Sequence, residues 1–371
     1  MHILLPAFVL LLSTILASVC AGEPPHRPTP NDPLLSEQWY LFSADDEFGS
    51  AGSINAIEAW GHIKPAPPII VAVLDIGVNS SHPDLGANIW KNDNEVANGK
   101  DDDGNGYIDD FHGWDFALDG NDSRSRVSDD DLIPFDHGTA VAGLIAAVPD
   151  NDIGIAGVGR NVEIMPLRIL GNGANLDSTF PRAVSYAIHN GARVLIFTAL
   201  FALPPEKSMP AERRNALEPS LKEAEAQGVL VVLAAGNQGS SIDEDMNFQF
   251  FAQFSNVLIV GGTDRNGELS PKMNFGKLVG LAAPSVDMTF PSFDGYKRFK
   301  GPGTSFAAPI VAAMAATLLS QHPELSPQET IARLKDASVV TPAMREVIGG
   351  GRLDMAKLFG PEVPIRGGVH D

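Results

Sequence analysis

Four short runs of uninterrupted apolar residues constrain this chain more than any other feature: Ile69 to Leu74, Val194 to Phe197, Val229 to Ala234 and Val257 to Val260. Each is too short for a helix, rich in β-branched residues, and lacks the alternation of a strand that faces water on one side. They read as strands buried on both faces. Between and after them lie longer stretches with helical character, at His137 to Val148, Phe180 to Asn190, Glu218 to Gln227 and Ser305 to Ser320. Buried strands alternating with helices predict an α/β fold with a mainly parallel sheet covered by helices on both faces. No repeat or low-complexity linker interrupts Ile69 to Ala337, so one domain is expected there. The Ala-rich stretch Ala307 to Leu319 is too short to span a membrane and reads as a buried helix.

Charge and cysteine usage exclude whole classes of function. The 371 residues carry 46 acidic and 26 basic side chains, a net charge of −20. Nucleic acid and anionic membrane surfaces are therefore not expected partners, because phosphate binding needs clustered Lys and Arg. The single cysteine, Cys20, permits no intrachain disulfide and no thiolate metal site. The apolar run Ile3 to Ala17, followed by Val19-Cys20-Ala21, predicts a signal peptide over residues 1–21. On that reading the mature chain is secreted (extracellular or periplasmic), with no stable membrane insertion after cleavage. Residues 22–60 are expected to form an N-terminal arm, 61–360 the main domain and 361–371 a tail. Nothing indicates an oligomer, and a monomer is expected.

Three segments, in the order Asp, His, Ser, carry the chemistry. Val73-Leu74-Asp75-Ile76-Gly77 puts a carboxylate at the carboxyl end of a buried strand, where open α/β sheets bind ligands. His137-Gly138-Thr139-Ala140 opens a helix, and Gly303-Thr304-Ser305-Phe306-Ala307-Ala308-Pro309 opens another. Pro309 is expected within the first turn, where amides have no helical partner. A serine hydroxyl is a weak nucleophile until a histidine takes its proton, and the imidazolium so formed needs an oriented carboxylate. A fourth segment, Leu233-Ala234-Ala235-Gly236-Asn237, ends a strand with a carboxamide that could stabilise an oxyanion beside the Ser305 amide. Taken singly, each residue would more often be structural: Asp75 capping a loop, Ser305 capping a helix. Their conjunction points to acyl transfer.

In these four segments the sequence resembles the subtilisin family of serine proteases, and its thermitase-like branch in particular, from about Asn31 to Phe359. The chain order Asp, His, Ser is that of subtilisin. The resemblance implies a three-layer subtilisin-like fold and a secreted serine endopeptidase acting on peptides or proteins. Asp75 would orient the histidine, His137 act as general base and acid, Ser305 as nucleophile and Asn237 as oxyanion donor. It also implies that Gly173 to Leu176 forms one wall of the substrate groove, and that Ala234, Ala235 and Gly236 line the primary pocket opposite Thr198, Ala199 and Leu200.

Calcium is the expected structural cofactor. Asp101, Asp103, Asn105, Tyr107, Asp109 and Asp110 place oxygen ligands through a glycine-turned loop, Asp101-Asp102-Asp103-Gly104-Asn105-Gly106-Tyr107-Ile108-Asp109-Asp110. Such crowding suits a hard cation, although the closing Glu of an EF-hand is missing. A solvated acidic loop is the bland alternative. By resemblance alone, a second site would take Asp84, Asn151 and the carbonyls of Ile153 and Ile155.

Three departures from the family pattern stand out. Ile76 follows Asp75 where the family usually has a hydroxyl that bonds the carboxylate, so a looser Asp75 is expected. Leu200, followed by Phe201, replaces a glycine at the pocket edge, which predicts a narrowed pocket or one rebuilt by Pro204 to Pro210. Asn31 to Trp60 already reads as the opening of the mature domain, so no prodomain is expected between it and the signal. Ile76 and Leu200 together favour one alternative: a catalytically weak or inactive subtilisin-fold protein that binds peptides without cutting them.

Overall fold

The computed structural model describes residues 29–125, 136–171, 173–198, 210–293 and 295–360. Seven parallel strands form the central sheet: β1 (Ile69–Asp75), β2 (Trp114–Asp115), β3 (Val162–Arg168), β4 (Val194–Phe197), β5 (Leu230–Ala234), β6 (Val257–Thr263) and β7 (Val279–Pro284). Their spatial order is β2-β3-β1-β4-β5-β6-β7. Side chains alternate across β1 and feed two separate cores. Val71 and Val73 pack with α2 (His137–Ala146) and α6 (Thr304–Gln321), after the short α1 (Ala56–Trp60). Ala72 and Leu74 pack with α3 (Leu176–His189), α4 (Ala211–Ala226) and α5 (Met246–Ala252). This is the three-layer arrangement expected from the buried strands.

All four expected strands and all four expected helices are present, with shifted ends. The helix expected from Phe180 begins at Leu176, where the Asn175 side chain accepts from Asp177 N, and it runs through Pro181. The helix expected from Glu218 begins at Ala211 and runs through Pro219. Pro309 is not in the first turn of α6, since the helix starts at Thr304. Its missing amide falls one turn further in and leaves the Ser305 carbonyl without its helical donor.

An antiparallel hairpin, β8 (Val286–Ser292) and β9 (Gly295–Pro302), leads directly into α6. From Leu35 onward the arm belongs to the core: Trp39, Tyr40, Leu41 and Ile54 are buried in the α2–α6 layer. The anticipated signal peptide, with Cys20, lies outside the described residues, as does the tail 361–371.

Candidate active site

Asp75, His137 and Ser305 come from β1, α2 and α6, three elements that pack against one another. Asp75 ends β1 fully buried. His137 opens α2, and its Nδ1 lies 2.9 Å from Asp75 Oδ1 and 2.8 Å from Oδ2. A carboxylate only accepts, so Nδ1 carries the proton in the neutral ring and Nε2 keeps its lone pair. Two further donors fix the carboxylate: Ile76 N to Oδ1 at 2.8 Å and the Thr198 hydroxyl to Oδ2 at 2.9 Å.

The Thr198 contact corrects the expectation of a loose Asp75. Ile76 brings no hydroxyl, but Thr198, at the end of β4, supplies one from across the sheet. Thr198 itself, expected at the substrate edge, is buried and spends its side chain on Asp75. Its neighbours in that expectation, Ala199 and Leu200, lie outside the described residues together with Phe201 and the segment to residue 209.

Ser305 is not the helix cap. That position belongs to Gly303, in extended backbone (φ −161°) and without a side chain to offer. Asn237 serves in its place: its Oδ1 accepts from Thr304 N at 2.8 Å and from the Thr304 hydroxyl at 3.1 Å. With the oxygen so engaged, the Asn237 amide presents its NH2 as the remaining group, on an exposed loop. Ser305 sits in the first turn of α6, where backbone amides lack helical acceptors. Gly236 has φ +94°, and its amide donates to the Thr304 hydroxyl at 2.9 Å. Ala235 is buried, and its carbonyl accepts from Asn274 Nδ2 at 2.8 Å. Asn274 also accepts from Gln238 N, so it braces the loop from behind; the sequence offered no signal for that role. Gly173, exposed with φ +73°, lies just past β3 at the same end of the sheet as Asp75.

The acidic loop divides in two. Asp103 and Asp110 converge with Glu95, one oxygen of each lying within 4.8 Å of the others. Glu95 precedes the loop and was not anticipated. Asp110 is buried and accepts from Asn92, Asn105 and, at 2.6 Å, the Tyr186 hydroxyl. Burial first, then that bond to a carboxylate, pushes the Tyr186 hydroxyl well above its ordinary range. Asp101 and Asp109 do not join the cluster: Asp101 accepts from Gly104 N, Asn105 N and Gly106 N, and Asp109 from Asn98 N and Gly99 N. The Tyr107 ring packs on Trp114, Phe116 and Tyr186, while its amide bonds Asn105.

Of the second anticipated site, Asp84 and Asn151 meet, and Ile153 and Ile155 approach through their amides. Asp84 is buried; its Oδ1 accepts from Asn151 Nδ2 at 2.9 Å, and its Oδ2 from Ile155 N at 3.1 Å and the Tyr296 hydroxyl at 2.9 Å. Ile153 N bonds Asn151 Oδ1. Asp32, from the arm, comes alongside, buried, with Oδ1 lacking a partner among the described residues. Burial raises both carboxyls above the ordinary range, and the Asp32 charge adds to the effect on Asp84. An orphaned carboxylate oxygen beside a second desolvated carboxylate fits a bound cation.

Comparison with known proteins assigns a family. A model of the subtilase family matches residues 67–355. The chain is similar to thermitase of Thermoactinomyces vulgaris, 30% identical over 296 residues that cover 79% of this chain and 86% of thermitase. It is also similar to the thermophilic serine proteinase of Bacillus sp. strain AK1, 32% identical over 307 residues, and spans 65% of that protein's length with 78% of its own. Among solved structures, a protease from Pseudoalteromonas arctica PAMC 21717 superposes with a TM-score of 0.68 at 26% identity, covering 89% of this chain and 98% of that one.

Proposed function

Because the chain belongs to the subtilase family of serine endopeptidases, we propose that it hydrolyses peptide bonds with Ser305 as nucleophile, His137 as general base and acid, and Asp75 as orienting carboxylate. Nε2 of His137 takes the Ser305 proton as the hydroxyl attacks the carbonyl carbon, then returns it to the leaving amine. Asp75 holds the ring in the required tautomer and stabilises the imidazolium. The oxyanion receives the Asn237 NH2 and the Ser305 amide, both fixed before reaction and therefore worth more than mobile water. Gly173, Ala235 and Gly236 line the groove in this reading, and the substrate is a peptide or protein. The observation that carries it is the bond from His137 Nδ1 to the oxygens of a buried Asp75, with Thr198 in support.

The same reading makes the chain a secreted monomer, with residues 61–360 as its catalytic domain. Structural calcium would bind at Asp32, Asp84, Asn151 and the Ile153 and Ile155 carbonyls, and at Glu95, Asp103 and Asp110. An ion bound there would neutralise carboxylates that otherwise repel, and Asp32 with Asp84 would tie the arm to the loop before β3.

The test is labelling of the calcium-loaded protein with a fluorophosphonate, against a Ser305→Ala control. Labelling lost in the control supports an activated serine. A folded protein that stays unlabelled sinks the protease reading and leaves a peptide-binding protein of the same fold.

A further inference from the structure

Arg168 and Asp115 form a buried ion pair, Nη1 to Oδ2 2.8 Å, at the carboxyl ends of β3 and β2. The register sets Asp75, Arg168 and Asp115 side by side across β1, β3 and β2. Such a pair is a poor source of stability, because desolvation of both charges offsets their attraction. What the pair does touch is the triad's backbone. Arg168 Nε donates to the Ile76 carbonyl at 3.0 Å. Ile76 N in turn donates to Asp75 Oδ1, and Ile169 N to the Asp75 carbonyl. The next residue, Gly77 (φ +108°), presses its carbonyl so close to α2 that a Cβ on Gly138 would stand 2.0 Å away. The turn Ile76–Gly77 is therefore wedged between a guanidinium and the helix start that carries His137. Asp115 is itself fixed, its Oδ1 accepting from Ala117 N and Leu118 N, both at 2.9 Å.

We infer that Arg168, aimed by Asp115, is a positioning residue for catalysis: it holds the Ile76 carbonyl so that β1 and α2 present Asp75 and His137 to each other at hydrogen-bonding distance. The inference deepens the proposed function and rests on its triad.

Two variants test it. Arg168→Lys keeps a cation for Asp115 but has one nitrogen where Arg168 uses two, so the Ile76 contact is lost. The double variant Asp115→Leu/Arg168→Met removes both charges and leaves an apolar pair, which restores stability where a lone buried charge would not. Peptide hydrolysis, normalised to active sites titrated with fluorophosphonate, is measured alongside thermal melts. For both variants kcat is expected to fall about 10- to 100-fold with KM within about twofold of wild type, even where the melt is near wild type. A role confined to stability predicts instead that activity returns with the melt. Wild-type kcat in either folded variant overturns the inference; should the double variant not fold, Arg168→Lys decides alone. Absence of labelling in the wild-type chain would overturn the triad reading and this inference with it, whereas wild-type labelling with unimpaired variants overturns the inference only.

Discussion

Beside His137, Thr198 gives Asp75 a side-chain donor that can be removed without touching the main chain. A Thr198→Val change keeps shape and takes away the hydroxyl, so a buried carboxylate loses a charge-assisted bond of about 1.5–3 kcal/mol. We expect kcat to fall about 10- to 100-fold, with Thr198→Ser near wild type, in steady-state hydrolysis of a peptide substrate. Asp136 makes a second case. It caps α2 beside His137, fully buried, with Oδ2 unpartnered among the described residues, and burial raises its pKa. A raised folded pKa means stability that is present below the ordinary carboxylate range and lost as pH rises through the folded value. Asp136→Asn keeps the capping acceptor and loses the charge, so it should melt higher than wild type at neutral pH and converge with it in acid. Asp75, His137, Asn237 and Ser305 were legible because each sits in its own short segment. Asp32 and Glu95 were not, since only the folded chain brings them to Asp84 and to Asp103 with Asp110.

Helix α2 approaches β1 as closely as glycine allows. Gly138→Ala would drive a methyl into the Gly77 carbonyl, a backbone atom that cannot step aside cheaply. The cost is about 1–3 kcal/mol of stability, and the displaced helix should separate His137 from Asp75. Fluorophosphonate labelling is expected to slow by more than tenfold while a lower melt records the strain. Elements were legible where pattern and propensity agreed, as in β1, β4, β5 and β6. β3 escaped notice because Glu163 and Pro166 interrupt it. Pro is tolerated there since the two-residue β2 pairs only with Leu167 and Arg168, leaving much of β3 without a strand on that side. β7, built on Val279-Gly280-Leu281-Ala282-Ala283, lacks the bulky branched run that marks its neighbours.

For the whole molecule, the proposed cation sites are expected to set the stability. Chelation should lower the melting temperature, because Asp32 and Asp84 are left ionised and desolvated together. Asp32→Asn should reverse the order: more stable than wild type in chelator, less responsive to added calcium, as melts at graded free calcium would show. A flat response in wild type would refute the assignment.

The triad's three members lie on β1, α2 and α6, so the site draws on contacts spread over more than half the chain. Folding through such distant pairings is slow. During synthesis the strands β1 to β7 all emerge before α6, the helix around which one face of the sheet is packed. Every shorter nascent chain thus lacks both its central core element and the proposed nucleophile, Ser305. On the proposed assignment, hydrolytic capacity arrives only with α6, the last large piece of the core, so the emerging chain is latent until that helix has been made.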